Sequence, residues 1–173
     1  MDKWTEYSSP VGRLTLCTDG AHLTGLWLEG QKYFGYSRAE VARADALPLF
    51  ADVRAWLDRY FSGERPLPGN LPLRPGGSAF QQRVWKLLCE IPYGGTTTYG
   101  GLAGRLAEEL GRETMSSQAV GGAVGRNPIS IIIPCHRVVG WDGRLTGYAG
   151  GLTVKKWLLD HEGAELTGHA RKG

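Results

Sequence analysis

The hydrophobic positions change their spacing along the chain, and that change is the first guide to its architecture. In KWTEYSSPVGRLTLCTDGAHLTGLWLEG, residues 3–30, short apolar-containing runs are broken by Ser-Pro, Asp-Gly and Glu-Gly pairs, which favour turns, so the segment predicts an antiparallel meander. Phe50, Val53, Trp56, Leu57 and Tyr60 then recur at helical spacing, with Gly63 near the expected stop. One helix is expected to cover this small sheet.

Further helices follow in the second half. Ser78 with Gln81 carries the signature of a capping box, Phe80, Val84, Leu87, Leu88 and Ile91 form one stripe, and Pro92 ends it. Leu102, Leu106 and Leu110 predict a helix over Tyr99 to Leu110, stopped by Gly111. Another is expected from about Ser116 to Val124, with Ala119, Val120, Ala123 and Val124 in its body. These two helices and their Gly-containing turn suggest a helix-turn-helix. The light surface of Gln118, Ala119, Gly121, Gly122 and Ala123 has two explanations: close packing on a neighbour, or insertion into a DNA groove with Arg126 at the phosphates. Mid-helix glycine costs about 1 kcal/mol relative to alanine, so one of them must compensate.

Between the halves, SGERPLPGNLPLRPGG (62–77) holds four prolines and four glycines and suits a surface crossing. The expected fold is therefore α/β with two domains. Residues 1–71 would form a sheet plus helix, and residues 72–173 a mainly helical domain with a helix-turn-helix and a short active-site strand.

Composition narrows the setting. The 173 residues are 42% hydrophobic and 10% aromatic, as in a folded globular chain. No run reaches the roughly 18 apolar residues of a membrane span, and MDKWTEYSS lacks a signal-peptide core. A cytoplasmic location is expected. Three cysteines, Cys17, Cys89 and Cys135, are an odd number better suited to reduced thiols than to disulfides. Residues 1–71 carry 8 Lys+Arg against 9 Asp+Glu, net −1, and residues 72–173 carry 12 against 8, net +4. An anionic partner would be met by the second half.

The chemistry concentrates in IIIPCHRVVG, residues 131–140. Ile131, Ile132 and Ile133 suit a buried strand, and Pro134 stiffens the backbone before Cys135. A thiol reacts as its thiolate, so a base beside it would help. His136 is adjacent, but a turn over Pro134 to Arg137 is needed to bring it round, because neighbours on an extended chain face opposite ways. In LTVKKWLLDHEG, Val154, Trp157, Leu158 and His161 share a face, with Glu162 at its edge. Glu162 would orient an imidazole and stabilise its cation, and His161 is a rival partner. The alternative is an inert buried cysteine and an exposed helix-terminal glutamate.

PCHRV, with NPISIIIPCHRVVG around it, AVGGAVGRNP upstream and KKWLLDHEG downstream, resembles the O6-alkylguanine-DNA alkyltransferases, or methylated-DNA–protein-cysteine methyltransferases. The resemblance runs from Ser78 to about Leu166 and is looser before the linker, where the family has a ribonuclease-like domain. It implies a single-turnover repair protein that flips O6-alkylguanine, with O4-alkylthymine a second candidate lesion, out of duplex DNA and moves the alkyl group irreversibly onto Cys135. His136 then corresponds to a water-linked base, Glu162 to the carboxylate that polarises it, and Asn127 to a hinge between recognition helix and active-site strand. Tyr99 would neutralise charge on the leaving guanine, while Val138, Tyr148 and Ala149 would line the base pocket. Gln118, Ala119, Gly122, Ala123, Arg126 and Arg137 would meet DNA. No cofactor or metal is implied; Cys17 and His22 alone do not make a zinc site. A monomer is expected.

Three positions depart from the family pattern. Gln118 stands where many relatives have arginine, Ala149 where some have serine, and EELGRETMSS lengthens the turn between the two helices. Two other functions remain on this reading: a lesion sensor, whose relatives lack the acceptor cysteine that this chain retains, and a cysteine hydrolase.

Overall fold

A computed structural model describes residues 2–31 and 41–165; Leu166 lies outside them. The chain forms two units, one of Met1–Gly76 with Pro128–Ile132 and the other of Gly77–Asn127 with Ile133–Gly173. A short piece of the second half is thus built into the first unit.

In the first unit, strands β1 (Lys3–Ser9), β2 (Gly12–Thr18) and β3 (Leu23–Leu28) form the expected meander. The pairings β1 with β2 and β2 with β3 are antiparallel. A two-residue strand, β4 (Ala42–Arg43), adds a parallel edge beside β1 that the turn pattern did not suggest, giving the order β3-β2-β1-β4. Helix α1 (Pro48–Phe61) buries Phe50, Val53, Trp56, Leu57 and Tyr60, the residues read from the periodicity. Burying such side chains stabilises by about 1.5–3 kcal/mol each. The linker is not featureless: the Trp56 indole donates to the Leu67 carbonyl (2.9 Å), and Leu73 bridges to Leu23.

Gly25, on β3, lies under the Trp27 ring, and a Cβ there would fall 2.0 Å from a ring carbon. Trp27 is itself buried, so the ring has little room to move. Gly25→Ala is expected to destabilise the protein by about 1–3 kcal/mol, measured by thermal denaturation; an unchanged midpoint would show that the ring does move.

In the second unit, α2 (Ala79–Leu88) begins with the reciprocal Ser78–Gln81 capping box. It ends with Cys89 as its C-cap, before Pro92 is reached. Trp85 is buried along with Val84, Leu87 and Leu88, and its indole donates to the Ala123 carbonyl (2.8 Å). Helix α3 (Tyr99–Leu110) starts from a Thr98 cap and ends at left-handed Gly111, while α4 (Ser117–Gly125) starts from a Ser116 cap. Strands β5 (Thr97–Thr98) and β6 (Val138–Val139) pair in parallel, placing the first residue of α3 beside the chain that leaves Cys135. The last helix is α5 (Leu152–His161).

Candidate active site

The three isoleucines do not form the expected strand. All are buried, but the chain turns through them. Ile131 has φ 70°, and the Ile132 N–H bonds the Ser130 carbonyl (2.8 Å), closing a three-residue γ-turn of the rare, strained type. A β-branched residue rarely adopts positive φ; here burial and the hydrogen bond hold it. A second three-residue turn is centred on Pro134 (φ −82°, ψ 64°), where the Cys135 N–H bonds the Ile133 carbonyl at 2.8 Å. This is the relaxed inverse form, whose φ proline matches. Cys135, His136 and Arg137 then make one 3-10 turn before β6. A tight turn, rather than a strand end, therefore presents the thiol.

Asn127 fixes this turn from the far end of α4. Its Nδ2 donates to the buried Ile133 carbonyl (2.8 Å), and its side chain also hydrogen-bonds Cys135. Burial pushes the Cys135 thiol above the usual cysteine value; the Asn127 hydrogen bond and the Lys155 charge oppose that rise. Cys17 and Cys89 are also raised by burial, Cys89 to about 11. What distinguishes Cys135 is its neighbours.

His136 is fully buried. Its Nε2 donates to Glu162 Oε2 (2.6 Å), because a carboxylate can only accept. The neutral ring therefore carries its lone pair on Nδ1, a buried atom with no hydrogen-bond partner among the described residues. Burial lowers the His136 pKa against the raising effect of Glu162. Glu162 is the C-cap of α5 and is buried. Burial alone would raise its pKa, but the His136 and Arg137 hydrogen bonds and charges outweigh that and bring it to about 2.

Arg137, expected at DNA, is turned inward. Its Nε and Nη2 donate to the two Glu162 oxygens (2.7 and 3.2 Å) and its Nη1 to the Ile91 carbonyl (2.7 Å). A planar guanidinium satisfies a carboxylate in two places at once, and that inward pairing leaves no group to reach a phosphate. Ala123, also expected at DNA, is buried against α2 with its carbonyl taken by Trp85. Gln118, Ala119, Gly122 and Arg126 are exposed, and a Cβ on Gly122 would meet nothing within 4 Å. Gly121 lies in ordinary contact with the Tyr99 ring, so packing explains that glycine and leaves Gly122 open.

Tyr99 begins α3, and its pKa is raised by burial and by Cys135 nearby. Val138 is fully buried in β6, while Tyr148 and Ala149 are half-buried in the loop before α5. On α5 the buried positions are Lys155, Leu158 and Leu159, followed by Glu162, not the expected Val154, Trp157 and His161 face. Trp157 and His161 stack on one another instead, ring centres 4.9 Å apart. His161 is thereby removed as a rival to His136. Sequence reasoning missed Lys155, which has no exposed surface and donates from Nζ to the Thr146 carbonyl (2.8 Å). The signal was present in its position seven residues before Glu162, two turns along the same side of the helix. Among the described residues no group of three His, Cys, Asp or Glu side chains is placed to hold a metal, and no helix is long and apolar enough to cross a membrane.

A sheet-and-helix unit, a second unit with an exposed light helix, and a buried cysteine backed by a His–Glu–Arg chain define a thiol protein built for nucleophilic chemistry. Known proteins make the class specific. Residues 79–164 match the profile of the 6-O-methylguanine DNA methyltransferase DNA binding domain, and residues 3–75 that of its ribonuclease-like domain. The methylated-DNA–protein-cysteine methyltransferase of Haemophilus influenzae is 47% identical over 159 residues, covering 92% of this chain and 85% of that one. Its Mycobacterium tuberculosis counterpart is 44% identical over 158 residues, 89% and 88% of the two chains. The crystal structure of M. tuberculosis O6-methylguanine methyltransferase superposes with TM-score 0.80 at 40% identity, covering 94% of this chain and 93% of that one. M. tuberculosis OGT in complex with DNA gives the same TM-score and identity, with coverage of 93% and 92%. This chain belongs to the methylated-DNA–protein-cysteine methyltransferase family.

Proposed function

We propose that this protein repairs duplex DNA by moving the alkyl group of O6-alkylguanine, with O4-alkylthymine a second candidate, onto Cys135, once per molecule. The observation that carries this reading is the bonded series Arg137–Glu162–His136 beside a thiol held by Asn127. The raised thiol needs a base, and the neutral imidazole has an unbonded Nδ1 to offer. Nδ1 takes the proton, directly or through a bridging water. The resulting imidazolium is stabilised by Glu162, whose low pKa keeps it anionic.

The thiolate then attacks the alkyl carbon. An S–C bond forms, the C–O6 bond breaks, and the electron pair departs with the guanine. Tyr99, kept protonated by its raised pKa, donates to the leaving base and is reprotonated from His136. The net change moves one proton from sulfur to guanine. No cofactor enters this balance, and the thioether has no route back.

For DNA, Gln118, Ala119 and Gly122 form the light outer face of α4, and Arg126 at its end reaches phosphate. The α3–α4 pair acts as a helix-turn-helix, and the protein works as a monomer. Extruding the base costs a few kcal/mol, least where the lesion pairs poorly.

The test is mass analysis after incubation with a duplex containing O6-methylguanine. One CH2 is expected on the peptide bearing Cys135, at no more than one equivalent, and none in Cys135→Ala. Folded wild-type protein that leaves this peptide unmodified, or that turns over repeatedly, overturns the reading.

A further inference from the structure

Lys155 has no task in the mechanism above, yet a lysine is almost never fully buried unless paired. Its hydrogen bond to the Thr146 carbonyl satisfies a donor but does not balance a charge. The buried carboxylate at the end of the same helix is already engaged, since Glu162 is bonded by both His136 and Arg137. Asn127 from the end of α4, Lys155 from α5 and Tyr99 from α3 act on the thiol, His136 and Arg137 follow it in its own turn, Glu162 at the α5 cap bonds both of these, and Cys89 at the end of α2 feels Arg137. Arg137 and Glu162 cancel, and His136 and Tyr99 are neutral before reaction. One positive charge is left over, on Lys155.

We infer that the Lys155 ammonium is the fixed counter-charge of the Cys135 thiolate, held in place by its hydrogen bond to the Thr146 carbonyl. This rests on Cys135 being the acceptor. A buried pair of opposite charges interacts more strongly than it would in water, so deprotonating the sulfur brings the cluster from one net positive charge to balance. Each group feels the other: the Lys155 charge lowers the thiol, and the Cys135 charge partly offsets the burial that brings the lysine down to about 8. His136 removes the proton, while Lys155 makes the anion tolerable once it has gone. Lys155 is a positioning and electrostatic residue that does not take part in bond making.

Three substitutions separate charge from scaffolding. Lys155→Gln removes the charge and keeps a donor, Lys155→Met removes both, and Lys155→Arg keeps the charge as a rescue. The thiolate is read by its ultraviolet absorbance against pH, each variant measured against the same chain with Cys135→Ser, so that the other thiols and tyrosines cancel. Single-turnover methyl transfer is followed over the same pH range, with thermal unfolding as a folding control. Lys155→Gln and Lys155→Met are expected to raise the Cys135 midpoint by about one pH unit, roughly a tenfold smaller thiolate fraction near neutrality. Transfer should be about tenfold slower there and regained in alkali, with Lys155→Arg returning toward wild type. Should Lys155→Met not fold, Lys155→Gln carries the test. An unmoved midpoint with transfer lost at every pH overturns the inference and leaves Lys155 as a loop clamp. A shifted midpoint in a wild-type background that transfers no methyl group keeps the ion pair and rejects the acceptor role.

Discussion

Replacing Glu162 with alanine is expected to lower stability by about 3–5 kcal/mol, because it leaves the Arg137 guanidinium buried without an anion and His136 without its acceptor. For a chain of this size each kcal/mol shifts the unfolding midpoint by about 2–4 °C. A drop of roughly 10 °C should therefore be seen by calorimetry, with methyl transfer falling as well. Lys156→Ala supplies the contrast on the same helix. Its 2.7 Å pair with Asp160 is exposed on both sides, and losing it should cost no more than about 0.5 kcal/mol. Arg137→Met with Glu162→Leu should cost less than the two single changes combined, since the double variant strands no charge. Equal losses from Glu162→Ala and Lys156→Ala would show that the buried pair is not what stabilises this unit.

The same carboxylate sets an acid limit. Its folded pKa of about 2 lies below the ordinary glutamate value of 4.5, so the folded state holds the anion more favourably than the unfolded chain does. That contribution is complete above pH 4.5, is lost as pH falls toward 2, and amounts to roughly 3 kcal/mol. His136 acts in the same direction at higher pH. Burial lowers its folded value below 6.5, so the unfolded chain takes up a proton first and stability begins to decline below that pH. Denaturation midpoints against pH should fall in two stages, and Glu162→Gln should flatten the lower one.

Asn127→Ala is expected to slow methyl transfer by about 100-fold, the scale on which a small misplacement of a reacting group is felt. The substitution removes the donor to Ile133 and the one that favours the Cys135 thiolate. Stability should fall by about 1–3 kcal/mol, because the Ile133 carbonyl is buried. Asn127→Asp keeps the shape but substitutes an anion for the donor, and should transfer more slowly still at neutral pH. Wild-type rates in Asn127→Ala would mean that the two three-residue turns position the sulfur unaided.

Local patterns carried much of this protein. The α1 stripe, the Ser78–Gln81 box and the caps at Ser116 and Gly111 depend on residues three or four apart, so spacing alone reveals them. The PCHR motif likewise announced thiol chemistry and, with its flanks, the family. Other features depend on what lies against each residue. Three consecutive isoleucines satisfy a strand pattern, but the Ser130–Ile132 and Ile133–Cys135 hydrogen bonds turn the chain instead. Arg137 looks like a surface cation until Glu162, 25 positions away, is seen to meet it.

What the sequence determined by itself was the set of amphipathic elements, their ends, and the kind of chemistry a cysteine, a histidine and a carboxylate can perform. Only the tertiary structure decided which polar groups were drawn inside. Burying an ion is favourable only when its partner arrives to meet it, and Arg137 carries no local mark of Glu162, which lies 25 positions away.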